Sequence, residues 1–246
     1  MPPTRQIDVY LLPALVDPVE LEGKAVVVID VLRATTTIVH ALAAGASEVA
    51  PCEEIEDAKK LAATLGAQAV LSGEREGLPI PGFDLGNSPA EYTRERVGGK
   101  TLVFTTTNGT RAMHRCRHAA RVLLGAFVNF SAICRELADD EQIALICAGT
   151  DGHVTREDTL LADAMVDDLA RTRKRELNDQ AEIAADAWQT AVRLLTDRPL
   201  GIMLRDSRGG RNLIETGQEN DIDLAAQIDK FDIVPRLDLA TWRIRS

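Results

Sequence analysis

Two apolar runs of the sequence each end in three consecutive threonines. The first is VVVIDVLRATTT at residues 26–37, and the second is LVFTTTNGTR at residues 102–111. A β-branched run that stops at hydroxyl, Asn or Gly residues and continues into a helix-like stretch is typical of a buried strand whose C-terminal end meets a helix N-terminus. Junctions of this kind bind anions in α/β proteins, so the pattern predicts two anion-binding edges.

Further strand-like runs alternate with helix-like segments. The runs lie at residues 7–11, 25–29, 69–71, 101–104, 122–124 and 143–147. Apolar spacing and capping residues predict helices at 55–65, after Ser88, at 155–169 and at 179–195, with a charged break at 171–178. This alternation predicts a layered α/β/α fold with a largely parallel or mixed sheet.

The chain of 246 residues is long enough for a substantial core. We expect residues 1–246 to form a single α/β domain, or two α/β lobes that meet near residues 151–153. The sequence contains no low-complexity tract or long linker that would mark a stronger boundary.

Composition and charge exclude several classes of protein. The four cysteines form no CxxC pair, which indicates neither a disulfide framework nor a zinc site, and no apolar run approaches the roughly 20 residues of a membrane span. We expect a cytoplasmic protein that does not associate with membranes. The net charge of −10 opposes non-specific nucleic-acid binding. Homo-oligomerisation is compatible with the sequence but is not indicated by it.

The richest irregular segment is residues 73–89, which contain four glycines and three prolines. The segment retains Glu74, Arg75 and Asp84 between apolar residues. Long loops inside compact domains are often functional, although an ordinary surface crossover would have the same composition.

Asp30 lies at the end of an otherwise apolar strand, where a carboxylate needs a cation or hydrogen-bond donors. A metal ion or Arg33 would meet that need, and so would a helix-capping role. Glu157 and Asp158 begin a predicted helix, where the helix dipole alone favours acidic residues, but a role as metal ligands is also open.

Hydroxyl, amide and backbone donors at residues 105–110, together with Arg111, suit the oxygens of a phosphate or sulfonate group. The chain contains neither a P-loop nor a GxGxxG motif. A second Arg-, Ser- and Gly-rich segment at 205–212 is compatible with another anion-contacting loop or with a flexible surface turn.

Five segments in order resemble the 2-phosphosulfolactate phosphatase family, and the resemblance covers nearly the whole chain. They are DVLRATT at 30–36, GER at 73–75, GFDLGNSP at 82–89, TTTNGT at 105–110, and Glu157 with Asp158. The resemblance implies a Mg²⁺-dependent phosphatase that converts 2-phosphosulfolactate to 3-sulfolactate and phosphate, a step of coenzyme M synthesis. A small anionic substrate would explain localised arginines in an acidic protein.

On this basis we expect Asp30 and Arg33 to be catalytic. The expected Mg²⁺ ligands are drawn from Asp30, Glu74, Asp84, Glu157 and Asp158. The expected substrate-binding residues are Thr35, Arg75, Thr106, Thr107, Asn108, Gly109, Thr110, Arg111, Ser207 and Arg208. Because Leu32 stands where a DxD motif would have its second carboxylate, attack by an activated water is favoured over covalent attack by Asp30. A phosphatase for another small phosphorylated acid and a non-catalytic anion-binding protein are the alternatives.

Overall fold

A computed structural model describes residues 5–194 and 199–246, without the side chains of residues 187, 189 and 191–194. The strands are β1 (Gln6–Tyr10), β2 (Ala25–Ile29), β3 (Glu48–Pro51), β4 (Ala69–Arg75), β5 (Leu78–Pro79), β6 (Thr101–Thr105), β7 (Arg121–Gly125), β8 (Gln142–Cys147), β9 (Glu176–Leu177), β10 (Arg236–Asp238) and β11 (Arg243–Arg245). The helices are α1 (Ala34–Ala43), α2 (Ile55–Leu65), α3 (Arg94–Val97), α4 (Gly109–Arg115), α5 (Phe130–Leu137), α6 (Arg156–Thr172), α7 (Asp179–Leu194), α8 (Leu200–Arg205), α9 (Arg208–Glu215) and α10 (Asn220–Ala225).

The described strands form one mixed sheet in the order β5-β4-β6-β3-β11-β10-β7-β2-β8-β1-β9. Two groups of parallel strands, β4-β6-β3 and β7-β2-β8-β1-β9, lie on either side of the antiparallel hairpin β10-β11. The predicted layered α/β fold is confirmed.

Helices cover both faces of the sheet because alternate residues of each strand point to opposite sides. Val27 and Ile29 pack with α5, α6, α8 and α10 in one buried cluster. Val26 and Val28 pack with α1 and α4 in another. Burying each such side chain stabilises the fold by about 1.5–3 kcal/mol.

The strands that precede the two threonine triplets are not neighbours. Four strands, β3, β11, β10 and β7, lie between β6 and β2 in the sheet. Phe104 of β6 and Val28 of β2 nevertheless belong to the same buried cluster around α1 and α4. The two halves of the sheet therefore share one core, and this brings the loops that follow β2 and β6 towards each other.

The predicted helices at 55–65, 155–169 and 179–195 are confirmed as α2, α6 and α7, except that the expected last residue, 195, lies outside the described residues. Ser88 and Glu91 have the spacing of a capping box, which would begin the helix predicted after Ser88, but they do not form one. Ser88 makes no capping hydrogen bond and is followed only by a short 3₁₀ turn, Pro89–Glu91. Both of its expected members have other partners, since the Ser88 hydroxyl donates to Asp221 and the Glu91 carboxylate accepts from the N–H of Gly86.

The division of the chain into one domain or two lobes stays a prediction. β9, β10 and β11 all follow residues 151–153 and pair within the same sheet as the earlier strands. Among the described residues, no helix combines the length and apolar character needed to cross a bilayer.

Candidate active site

A cavity of about 500 Å³ lies where the loops after β2, β4, β6 and β8 meet the start of α9. Six of the residues predicted from the sequence line it. They are Asp30, Arg33, Glu74, Thr106, Thr107 and Asn108. Ligand sites in open α/β sheets lie at the carboxyl ends of the strands, and this cavity has that position.

Asp30 is held at the end of β2 by the first turn of α1. Its Oδ1 accepts a hydrogen bond from the Ala34 N–H at 3.1 Å. The Thr35 hydroxyl donates to the Asp30 carbonyl at 2.8 Å and accepts from the Asp30 N–H at 3.0 Å. Thr35, which we expected to bind substrate, is fully buried and does not line the cavity, so its hydroxyl positions the Asp30 backbone.

Burial raises the pKa of Asp30 to about 7. The Ala34 N–H opposes this rise, the nearby carboxylates of Glu74 and Glu157 add to it, and Arg33 opposes it weakly. Asp30 therefore lies in a site that disfavours its anionic form unless a further cation is present.

The start of α4, which follows the second threonine triplet, lies next to Asp30. A Cβ on Gly109 would stand 2.9 Å from Asp30 Oδ2 and 2.6 Å from the Ala34 Cβ, so only glycine fits there. The buried Thr110 hydroxyl donates to the Thr106 carbonyl at 2.5 Å and fixes the same turn. Gly109 and Thr110 therefore fix the turn that follows the lining residues Thr106–Asn108, although neither of them lines the cavity itself.

Glu74 connects the loop after β6 to the turn after β4. Its Oε1 accepts from the Thr107 N–H at 2.7 Å, and its Oε2 accepts from the Gly77 N–H at 2.7 Å. The side chain lines the cavity but is only 7% exposed. Glu74 therefore orders two cavity loops while presenting its carboxylate to the same space as Asp30.

The two acidic residues at the start of α6, Glu157 and Asp158, are buried outside the cavity lining and have different surroundings. Both oxygens of Asp158 accept from backbone N–H groups, those of Val31 at 2.8 Å and Gly149 at 2.9 Å. Glu157 Oε1 accepts from the Gly209 N–H at 3.1 Å, whereas its buried Oε2 has no partner among the described residues. Burial raises the pKa of both carboxyl groups.

Three of the predicted cationic residues do not line the cavity. The Arg75 guanidinium donates to the Thr105 hydroxyl at 2.8 Å and to the Glu74 carbonyl at 3.1 Å. Arg111 is exposed on α4. Arg208 lies at the cavity rim, where its Nη2 is 3.9 Å from Asp151 Oδ2.

Two further predicted residues also lie outside the lining. Ser207 is buried and caps α9, because its hydroxyl oxygen accepts from the Gly210 N–H at 3.1 Å. Asp84 is exposed, and its Oδ2 accepts from the Leu71 N–H at 2.9 Å. The structure does not bring Asp84 together with the Asp30 and Glu74 carboxylates.

Sequence reasoning missed the residues that surround Arg33. The Nη1 of Arg33 donates to Asp221 Oδ2 at 2.7 Å in a buried ion pair, and Nη1 also donates to Gln218. Asp221 lies in the first turn of α10, where an acidic residue is expected from the helix dipole alone. The acidic residues Glu76, Asp151 and Glu215, which line the cavity, were also missed.

The oxygen donors at this cavity fit a hard divalent cation. Within the described part of the chain, no three His, Cys, Asp or Glu side chains are spaced to hold a metal ion by themselves. Mg²⁺ commonly takes one or two carboxylates and completes its shell with waters and substrate phosphate oxygens. The unpartnered Glu157 Oε2 and the raised pKa of Asp30 are the features that such a cation would relieve.

The chain is similar to known proteins over most of its length. A family model described as 2-phosphosulpholactate phosphatase matches residues 10–239. A probable 2-phosphosulfolactate phosphatase of Symbiobacterium thermophilum is 42% identical over 219 residues, which are 88% of this chain and 92% of the relative. A protein of the same description from Thermotoga maritima is 41% identical over 233 residues, 94% of this chain and 95% of the relative. The chain therefore belongs to the 2-phosphosulpholactate phosphatase family of phosphoric monoester hydrolases.

Proposed function

We propose that the protein is a Mg²⁺-dependent phosphatase that hydrolyses 2-phosphosulfolactate to 3-sulfolactate and phosphate. The family match over residues 10–239 and the descriptions of the relatives support this substrate. The same proposal includes a cytoplasmic location and a role in coenzyme M synthesis.

The excess of negative charge in the cavity is the observation that supports a requirement for a metal ion. Five carboxylate side chains line the cavity, those of Asp30, Glu74, Glu76, Asp151 and Glu215. Among the described residues, the basic side chain in the lining is that of Arg33, which is already paired with Asp221. Arg208 lies outside the lining and is 3.9 Å from Asp151, so the acidic side chains still outnumber the cations at the cavity. A substrate carrying phosphate, sulfonate and carboxylate groups would be repelled by this surface unless a divalent cation were bound.

Asp30 and Glu157 are the residues that we expect to hold Mg²⁺, with Glu74 as a further ligand. Neither Asp30 Oδ2 nor Glu157 Oε2 accepts a hydrogen bond from the described residues. When bound, Mg²⁺ would polarise the phosphoryl group and make a water molecule more acidic.

The remaining chemistry falls to side chains at the cavity wall. Thr106, Thr107 and Asn108 present hydroxyl and amide donors that suit anionic oxygens. The Arg33 guanidinium would stabilise charge that develops on the phosphoryl oxygens during in-line attack. The Asp30 carboxylate would orient the attacking water, since it accepts only one hydrogen bond from the described residues, at Oδ1.

Covalent attack by Asp30 on phosphorus is the alternative route. Leu32 occupies the place of the second carboxylate in a DxD motif, which favours the water route. Rapid quenching during turnover of radiolabelled substrate, followed by peptide mapping, would separate the two routes. A phosphorylated Asp30 peptide that forms and decays at the turnover rate would contradict the water route.

Phosphate release from a panel of phosphorylated hydroxy acids, measured after EDTA treatment and again with added Mg²⁺, tests the proposal. We expect the highest kcat/KM for 2-phosphosulfolactate, and activity only with the metal. A higher kcat/KM for a phosphorylated acid without a sulfonate would show that 2-phosphosulfolactate is not the preferred substrate. Binding of the panel without phosphate release would indicate a non-catalytic anion-binding protein.

A further inference from the structure

Arg33 is anchored to two segments that lie far from it in the sequence. Its Nη1 donates to Asp221 and Gln218, and its Nη2 donates to the Gly77 carbonyl at 3.3 Å. A guanidinium has five N–H donors, so these three hydrogen bonds leave two N–H groups of Arg33 available, and Arg33 is one of the residues that line the cavity.

Asp221 is itself fixed in place. Both its side chain and that of Arg33 are less than 5% exposed, at 4% and 3%. The Ser88 hydroxyl donates to Asp221 Oδ1 at 2.5 Å, while Oδ2 receives Arg33. Asp221 therefore joins the start of α10 to the loop before the Pro89–Glu91 turn, and both oxygens have defined donors.

Without Asp221, the Arg33 guanidinium would have strong competing acceptors. Asp30 and Glu74 line the same cavity, and both carry carboxylates in a buried setting. In the described residues Arg33 forms an ion pair with Asp221 and with no other carboxylate. Opposite charges attract more strongly where water is excluded, so an unrestrained guanidinium would move towards these carboxylates.

We propose that Asp221 is a positioning residue that holds the Arg33 guanidinium at the cavity wall, away from Asp30 and Glu74, so that its remaining N–H groups bind the phosphoryl oxygens of the substrate. Ser88 supports this role by fixing the orientation of the Asp221 carboxylate. The proposal rests on the phosphatase activity proposed above, but its physical test does not need a known substrate.

The test is a double-mutant cycle on Arg33 and Asp221 with inorganic phosphate as the probe. Phosphate binding is measured by isothermal titration calorimetry at saturating Mg²⁺ for the wild type, Asp221→Asn, Arg33→Gln and the double variant. Asp223→Asn is the matched control, because Asp223 lies in the same helix, is exposed and pairs with Arg205 outside the cavity lining. Thermal melting checks that each variant is folded.

We expect Asp221→Asn to weaken phosphate binding by about 10-fold or more, as is typical when a charge-assisted hydrogen bond is lost. In the Arg33→Gln background the same substitution should have almost no further effect, and Asp223→Asn should bind like the wild type. An equal loss in both backgrounds would show a merely structural role. Wild-type binding by folded Asp221→Asn would also overturn the proposal.

Ser88→Ala provides a second variant if Asp221→Asn does not fold. It removes one donor to Asp221 and leaves the ion pair, so we expect a loss of several-fold in phosphate affinity that disappears in the Arg33→Gln background. Unchanged affinity in Ser88→Ala, or a loss that persists without Arg33, would contradict the proposal. If wild-type protein binds phosphate but hydrolyses no substrate, the proposed function fails while this test remains decisive.

Discussion

The backbone N–H of Gly209 donates to Glu157 Oε1 over 3.1 Å, and a Cβ on Gly209 would stand 2.1 Å from that oxygen. This contact joins the start of α9 to the start of α6 and leaves the second Glu157 oxygen without a partner in the described residues. Gly209 itself lines the cavity. The close approach therefore sets the position of a carboxylate to which we assign a metal-binding role.

Gly209→Ala should displace Glu157 and weaken Mg²⁺ binding. We expect the Mg²⁺ concentration for half-maximal phosphate release to rise by about 10-fold or more, with a loss of stability of about 1–3 kcal/mol from the forced contact. Gly201→Ala in α8 is the control, because the nearest atoms to its added Cβ lie at 3.6 and 3.8 Å. The same Mg²⁺ dependence in Gly209→Ala and wild type would argue against Glu157 as a ligand.

Thr35→Val should reduce both stability and activity, although the side chain does not line the cavity. The substitution keeps the shape but removes the hydroxyl that bonds the N–H and the carbonyl of Asp30. We expect a decrease of about 1–3 kcal/mol in the free energy of unfolding, measured by urea denaturation. Thr64→Val, which removes an exposed hydroxyl on α2, should change it by less than about 0.5 kcal/mol.

Asp163 gives the fold a pH dependence that is separate from the active site. Its side chain is fully buried, both oxygens lack partners among the described residues, and burial raises its pKa to about 9. The folded protein therefore keeps Asp163 protonated at neutral pH, whereas the unfolded chain releases the proton above its ordinary pKa of 3.8. This group lowers stability progressively as the pH rises from about 4 to 9.

Asp163→Asn should remove that dependence. Between pH 6 and pH 9 we expect the free energy of unfolding of the wild type to fall relative to the variant, by roughly 2–4 kcal/mol. Chemical denaturation at several pH values measures the difference, and the other ionisable groups cancel because both proteins contain them. A difference that stays constant with pH would mean that Asp163 titrates normally.

The sequence was most informative where apolar patterning is long and local. β2 and β6 were predictable because all their residues are β-branched or apolar, as strands buried on both faces require. β10 and β11 were not, since each is only three residues long and its one buried apolar side chain, Leu237 or Ile244, lies between charged residues. Their place in the sheet depends on pairing with β7 and β3, which no local pattern reveals.

The candidate site, like the sheet, was predictable from the sequence only in part. Asp30, Glu74 and Thr106 lie at the carboxyl ends of β2, β4 and β6, which the sequence pattern indicates. Three antiparallel pairings separate β2 from β6 and β4, so the strand directions alone do not bring these ends together, and the shared core does. The direction of a long arginine side chain depends on distant packing, and this is why Arg75 and Arg111 do not line the cavity as expected. The partnership of Arg33 with Asp221, 188 positions later, has no sequence signal beyond an acidic residue in a helix.

The proposed mechanism requires a cation held at Asp30 for phosphoryl hydrolysis. Its most direct test is Mg²⁺-titrated phosphate release from 2-phosphosulfolactate by metal-stripped wild type, Asp30→Asn and Asp84→Asn. Asp84 is a matched control because it is an exposed aspartate that does not line the cavity. We predict Mg²⁺-dependent release by the wild type and Asp84→Asn, and a loss of at least about 100-fold in kcat/KM for Asp30→Asn. Full Mg²⁺-dependent activity in Asp30→Asn, or undiminished activity of the stripped wild type without metal, would contradict the claim.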